Sequence, residues 1–325
     1  MGHAQELQAT VLALINAPFE DDGWRQGVEM IGAVTRSRSM HLVGFGGPLP
    51  LSLNLFVGPD APLAERHFAK AELWGACNWR VHTSRAAMTI QHEPHYADYR
   101  SQVDTADYDD SVADLDMRFG CQSALILERD MFLRLAMLRG RRDGACDAGT
   151  LEDFALLAHH LHRALRTQIA LDGEAAELML GDNARVSGAV FLLDRHSAIC
   201  AMTPCAEALM NDGPFIFSAT ALALRHPGED RHLRATMARM LAFGDEPAGS
   251  RVNEVRVGRS EASPSGRWRM FIVRLPGRAH GLGFDPHLAV SIKPIDRESV
   301  QPPLACGPTK PGAGSPKQFY RSENR

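Results

Sequence analysis

The chain has 325 residues, of which 45% are apolar, 23% charged and 7% aromatic, and its formal net charge is −4. That length suffices for about two domains with cores of their own, and a charge so near neutrality excludes the chain-wide basic stripe that a nucleic-acid backbone requires. Six scattered cysteines without a CxxC pair argue against a disulfide framework or a zinc module and point to a reducing compartment.

The first turn of sequence, Met1-Gly2-His3-Ala4-Gln5-Glu6, has no basic leader and no Ser or Thr for myristoylation, and no run approaches 18 apolar residues. The expectation is a soluble cytoplasmic protein with no membrane partner. Leu7, Val11, Leu14 and Ile15 fall at helical spacing over residues 4 to 16, and Pro18 stops that helix. A second helix follows, capped by Asp21 or Asp22, with Trp24, Val28 and Ile31 on one face. Residues Met40 to Phe45 and the alternation of Leu51, Leu53, Leu55 and Val57 read as strands, and Asp60 and Pro62 open a helix to about Trp74.

Residues 93 to 116 hold eight acids and one base, a local charge of −7, so the rest of the chain is mildly basic. This segment shows no clear period and is expected to be a long loop with one helical turn. Cys121–Leu127 and Phe132–Leu138 form a hairpin. Thr150, with Asp153 at the third position, is expected to cap a long helix through about Leu171, striped by Leu151, Phe154, Ala158, Leu161, Leu165 and Ile169. Gly181-Asp182-Asn183 breaks that pattern. A second α/β unit then reads as strands at 188–193 and 198–202, a short helix capped by Thr203-Pro204 and running through Met210, a helix near 230–243, and strands at 252–257, 268–275 and 288–292. In residues 296–325, Pro and Gly make up about 27%, a composition associated with disorder.

Few constellations carry chemistry. His159 and His162 stand at i and i+3 with no acid between them, short of the HExxH geometry, and Asp107, Asp109, Asp110, Asp114 and Asp116 lack an EF-hand's DxDxDG core; no metal and no cofactor is expected. Cys205 sits at a helix N-terminus, where a thiolate would be favoured, but a small buried apolar role accounts for it better. Neither a phosphate-binding glycine loop nor a GxSxG elbow is present, so no catalytic residue is nominated and the protein is expected not to be an enzyme. Trp74, Trp79, Tyr96, Tyr99 and Tyr108 concentrate aromatic rings on and before the acidic segment, where they either pack as core and lid without a ligand or close over a small apolar or planar one; under the second reading Cys121 joins them as an expected ligand-binding residue.

Four stretches carry a resemblance that spans about 290 residues. They are Gly23-Trp24-Arg25 through Gly46-Gly47; Met117-Arg118-Phe119-Gly120-Cys121-Gln122-Ser123; Leu138-Arg139-Gly140-Arg141-Arg142-Asp143-Gly144 through Leu165; and Gly188 through Leu209. With them the chain resembles LuxR-type helix-turn-helix transcriptional regulators of the large alphaproteobacterial kind, in which a GAF-like or autoinducer-like sensor precedes a PAS-like unit. The third stretch is similar to that family's "lRxrRxGpf…LaPHLxrAL" helix, with His159 where proline is usual. The resemblance implies an α/β (α+β) fold of antiparallel sheets with flanking helices, divided into a GAF-like sensor at 1–178, a PAS-like domain at 183–295 and a disordered tail at 296–325.

In that family a helix-turn-helix of roughly 60 residues follows the PAS-like unit, whereas here Val290-Ser291-Ile292-Lys293-Pro294 leads into a proline-rich tail. Truncation, frameshift and a stand-alone sensor all fit. The resemblance therefore implies the sensory portion of such a regulator: non-catalytic, binding an unknown small molecule, contacting DNA only where a helix-turn-helix is supplied elsewhere. A homodimer is expected through Leu157, Leu161, Leu165 and Ile169 of the long helix. The alternatives are a GAF/PAS signalling protein acting by protein–protein contact, an enzyme, or a haem or metal protein.

Overall fold

A computed structural model describes residues 2–47, 51–68, 77–84, 86–212, 215–218, 221–242, 252–257, 268–275 and 284–295. Helix α1 (His3–Asn16) forms where its apolar spacing predicts; Pro18 turns the chain into a short 3-10 turn, and α2 (Gly23–Val34) follows. Asp22, one of the two expected caps, stands at the N-cap position without a side-chain capping bond. It takes a left-handed φ of 56°, and its carbonyl accepts from the Gln26 N–H.

Strands β1 (Ser39–Gly46), β2 (Leu51–Val57), β3 (Ile90–Gln91), β4 (Phe119–Leu127) and β5 (Met131–Arg139) make an antiparallel sheet in the order β2-β1-β5-β4-β3. The two-residue period of a strand sends alternate side chains to opposite faces. Met40, Leu42, Leu53, Leu55, Leu133, Leu135 and Met137 go to one face, where they join Leu14, Val28 and Ile31 and four residues of the long helix α7 (Ala148–Ser187), Phe154, Leu157, Leu161 and Leu165. The other face is covered by α3 (Ala61–Phe68), α4 (Trp79–His82), α5 (Glu93–Arg100) and α6 (Ala106–Asp114). The acidic segment is therefore two helices rather than a loop. Tyr108, Val112 and Leu115 stand at i, i+4 and i+7 and pack inward, a helical period hidden by the acids on the outer side.

Helix α7 begins two residues before the expected Thr150 cap, and the Asp147 carboxylate accepts from the Thr150 N–H at 2.7 Å. It does not stop at Gly181 but runs for 40 residues to Ser187. One glycine inside a helix costs only about 1 kcal/mol, whereas Gly188, at φ +75°, takes the left-handed backbone that ends the helix. Toward its end, Ala175, Ala176, Met179 and Leu180 of α7 pack on Leu192, Cys200 and Ala289 of a second sheet.

That second sheet is antiparallel in the order β10-β11-β12-β6-β7, built from β6 (Ala189–Leu193), β7 (Ile199–Met202), β10 (Val252–Val257), β11 (Trp268–Arg274) and β12 (Leu288–Pro294). Between β7 and β10 lie α8 (Pro204–Asp212), a hairpin of β8 (Phe215–Ser218) and β9 (Ala221–Leu224) that the sequence reading missed, and α9 (Pro227–Ala242). The whole is an α+β architecture of two five-stranded antiparallel sheets with flanking helices. No described helix is long and apolar enough to cross a membrane. The tail expected to be disordered lies outside the described residues.

Thr203 caps α8 as expected. Its hydroxyl accepts from the Ala206 N–H at 3.2 Å and the Val190 N–H at 3.1 Å and donates to the Gly188 carbonyl at 2.9 Å, so one buried side chain joins the end of α7, β6 and α8. Thr203→Ala removes the cap and leaves those groups short of a partner, and is expected to cost about 1–2 kcal/mol in urea denaturation. An unchanged midpoint would show that water replaces the hydroxyl.

Candidate functional site

The two faces of the first sheet differ in chemistry. The face toward α1, α2 and α7 is lined chiefly by aliphatic side chains and Met. The face toward α4, α5 and α6 holds buried polar side chains at its centre. His41 and Gln122 both pair in register with Ala136, an inward residue of that layer, and Arg134 lies two residues along the same strand, so all three point the same way. His41 is 3% exposed, Gln122 0% and Arg134 3%.

Above them sits an aromatic cluster. Trp79, at the start of α4, lies 4.7 Å from the Tyr96 ring of α5 and 5.4 Å, edge-on, from Tyr108 of α6 (centroid distances). Its indole N–H donates to Asp109 Oδ1 at 3.0 Å. The neighbouring Arg80 guanidinium stands 4.2 Å from the Trp79 ring centroid and donates to the Tyr108 hydroxyl at 3.2 Å and to the Met117 carbonyl. Asn78 caps α4 by accepting from the Val81 N–H, which fixes the turn that projects Trp79 and Arg80 inward.

The cover is tied down at several points. Gly120, at φ +134°, donates its N–H to Glu93 Oε1 at 2.9 Å and so joins β4 to the first turn of α5; a Cβ there would lie 2.0 Å from the Met137 carbonyl oxygen. Tyr96 donates to the Gln91 carbonyl at 2.8 Å, and burial pushes its phenol pKa well up. Burial also raises Asp109, but hydrogen bonds from Thr105, Trp79 and Arg100 outweigh it and hold the carboxyl below its ordinary value. Arg134 donates to Gln122 Oε1 at 3.0 Å, and the Gln122 amide donates onward to the Arg80 carbonyl, a chain that crosses from β5 through β4 to α4. Burial lowers the Arg134 pKa, the Tyr108 and Tyr96 hydroxyls raise it, and the Arg80 charge lowers it again.

His41 donates Nε2–H to Asn54 Oδ1 at 2.7 Å. Burial lowers its pKa, the Asn54 bond resists, and the charge of Arg134 lowers it further, to about 4. A base whose folded pKa lies below its unfolded value of about 6.5 gives full stability above pH 6.5 and loses it as pH falls toward 4. The expected loss from this one group between pH 7 and pH 5 is about 2 kcal/mol. Urea midpoints at the two pH values should therefore differ less in His41→Gln than in the wild-type chain; equal differences would mean that His41 is not held neutral.

Of the residues expected from the sequence, Trp79, Tyr96 and Tyr108 come together, and Tyr99 lies at the rim with its ring stacked on His82. Trp74 lies outside the described residues. Cys121 does not join them; it is buried on the opposite face, in the core with α7, and its thiol is hydrogen-bonded to Cys146. His41, Arg80, Gln122 and Arg134 were missed, although each interrupts or adjoins an apolar run, as in Met40-His41-Leu42 and Leu133-Arg134-Leu135.

Leu157, Leu161 and Leu165, expected to meet a second copy, are 0%, 0% and 1% exposed within this chain's own core, and Ile169 packs beside them. The correction follows from the sheet, which needs that stripe to cover its apolar face. The exposed leucines of α7 are Leu156 and Leu178. His159 and His160 stand edge-on at 6.2 Å, His162 accepts from Arg166, and Cys205 is half-buried beside the core of the second sheet. Among the described residues no group of three or more His, Cys, Asp or Glu side chains is placed to hold a metal.

No family model and no curated protein matches this sequence. Among solved structures, the chain is similar to the ligand-binding domain of VqsR from Pseudomonas aeruginosa and to the N-acylhomoserine-lactone-dependent LuxR-family transcription factor CepR2 from Burkholderia cenocepacia. Each is 17% identical, with a TM-score of 0.38, over 52% of this chain and 98% of the other. It is also similar to the bacteriophytochrome RpBphP3 from R. palustris, 10% identical with a TM-score of 0.33, over 89% of this chain and 63% of the other.

Proposed function

We propose that this chain is the sensory portion of a transcriptional regulator of the LuxR type, and that it binds a small molecule in the layer between the first sheet and α4–α6. The observation that carries this reading is the contrast between the two faces of one sheet. A face that serves packing alone is chiefly apolar, as the α7 side is apart from a buried Ser123 hydroxyl, and among the described residues it carries no cluster of buried polar side chains about the sheet centre. The α4–α6 side buries an aromatic cluster together with His41, Gln122, Arg80 and Arg134, and the Nε atoms of both arginines lack an acceptor. Apolar and aromatic walls with a few converging polar groups are the ordinary make-up of a ligand site.

Under this reading the protein is cytoplasmic, does no chemistry and carries no metal or cofactor. It has a sensor region through 178 and a PAS-like region over 183–295, joined by α7. Ligand binding to the first region would be relayed along α7, which packs on both sheets. It acts as a homodimer through surface outside the Leu157–Leu165 stripe, which sedimentation of the full chain tests separately. DNA contact requires a helix-turn-helix supplied elsewhere, and the isolated chain should give no gel shift.

A thermal-shift screen of chemically varied small molecules tests the site. A ligand that binds only the folded state raises the melting temperature with its concentration. The shift should vanish in Trp79→Leu and persist in Trp268→Leu on the second sheet. A shift lost in Trp268→Leu and kept in Trp79→Leu would place the ligand elsewhere.

A further inference from the structure

Arg80 and Arg134 are 2% and 3% exposed. Arginine does not give up its proton in proteins, so the layer contains two buried positive charges. Several exposed arginines of this chain are paired with acids, among them Arg38 with Asp60, Arg100 with Asp109 and Arg234 with Asp230. Neither buried arginine has such a partner among the described residues. Their acceptors are all neutral, namely the Tyr108 hydroxyl and the Met117 carbonyl for Arg80 and Gln122 Oε1 for Arg134. The Nε–H of each is buried with no acceptor among the described residues.

Two acids of the cover are already occupied. Asp109 holds Trp79, Arg100 and Thr105, and Glu93 accepts from Gly120 and lies beside His92. The two guanidiniums act on common ground: Arg80 lies 5.7 and 5.9 Å from the ring centroids of Tyr96 and Tyr108, and Arg134 is within electrostatic reach of both phenols and of Arg80. Two cations held only by neutral acceptors and aromatic rings in one desolvated layer repel each other and attract an anion far more strongly than they would in water.

We propose that Arg80 and Arg134 form an anion site, and that the ligand of this layer is a small organic carboxylate carrying an aromatic or acyl body. The inference rests on reading the layer as a ligand site. A carboxylate is planar and offers two acceptor oxygens, which suits the Nε–H edge of a guanidinium. The surrounding Trp79, Tyr96, Tyr108, Phe56 and Leu138 suit an apolar or planar body. A phosphate dianion keeps a larger hydration shell, which this aromatic surround cannot replace. On binding, the carboxylate takes the place of the neutral acceptors and satisfies both orphaned donors.

The test uses pairs that differ only in charge: octanoate, dodecanoate, benzoate and indole-3-acetate, each beside its methyl ester, with thermal shift and tryptophan fluorescence of the full chain as readouts. At least one acid is expected to give a saturable shift that its ester does not, with affinity at least tenfold weaker in Arg80→Met and Arg134→Met. Arg80→Lys and Arg134→Lys, which keep the charge and lose the fork, should fall between and guard against a variant that fails to fold. An ester that binds as well as its acid, with both shifts lost in Trp79→Leu, keeps the ligand site and overturns the anion proposal. Equal binding by the wild type and all four arginine variants also overturns it. No shift from any member, charged or neutral, overturns both the anion proposal and the ligand-layer reading.

Discussion

Leu161→Asp is expected to abolish the folded state of the first sheet and its helices rather than to separate two folded copies. Leu161 is 0% exposed in the core between α7 and the sheet. The substitution removes a leucine's apolar contacts and leaves a carboxylate with no partner among aliphatic neighbours. Losing the leucine alone costs about 2–5 kcal/mol. Burying an unpaired charge adds several more, so the total is comparable with the whole stability of a domain. Circular dichroism should show loss of cooperative unfolding at neutral pH. The control is Leu156→Asp on the same helix, 46% exposed, which should change stability by no more than about 0.5 kcal/mol. A folded Leu161→Asp chain that merely sediments at half the mass would restore this residue to a dimer interface.

Arg134→Met is expected to do the opposite, raising stability by about 1–2 kcal/mol in the absence of ligand. A buried ion pair can be replaced by apolar residues at no cost or with a gain, and Arg134 does not even have the pair. Methionine fills much the same volume and adapts its shape. The change strands Gln122 Oε1, which loses its donor, and that offsets part of the gain. It also removes one of the influences that hold His41 neutral, so the His41 pKa should rise. Urea midpoints at pH 7 measure the sign directly. A marked loss of stability would mean that Arg134 is a structural support of the layer, held by more than its bond to Gln122.

These two residues also show what was legible in the sequence. Leu161 belongs to an i, i+3, i+4 stripe that announces a helix without any tertiary information, and α7 forms on it. What the stripe faces is not encoded in its period: a sheet and a second helix demand the same leucines. Tyr108, Val112 and Leu115 carried the same kind of signal over barely two turns, too short to stand out beside eight acids. Gly181 suggests a break because a glycine weakens a helix, but inside a 40-residue helix it has helical neighbours on both sides to hold it.

The aromatic part of the site was legible because rings are rare in this chain and three of its four tyrosines fall within one segment. The charged part was not. Arg80 follows Trp79 in a turn of only four residues, and Arg134 looks like any strand residue until pairing with β1 and β4 turns its side chain to the buried side. Cys121 differs from Gln122 by one position, and in a strand one position is the difference between the two faces. Sequence spacing placed Cys121 near the rings; the pleat puts it on the other side of the sheet.

The most direct test of the central claim is amide hydrogen exchange of the full chain with and without the compound that gives the largest saturable shift in the thermal screen. Added protection is predicted across 79–82, 93–114 and the facing strands β4 and β5 around Gln122 and Arg134. Protection confined to β10–β12, with 79–114 unchanged, would contradict it.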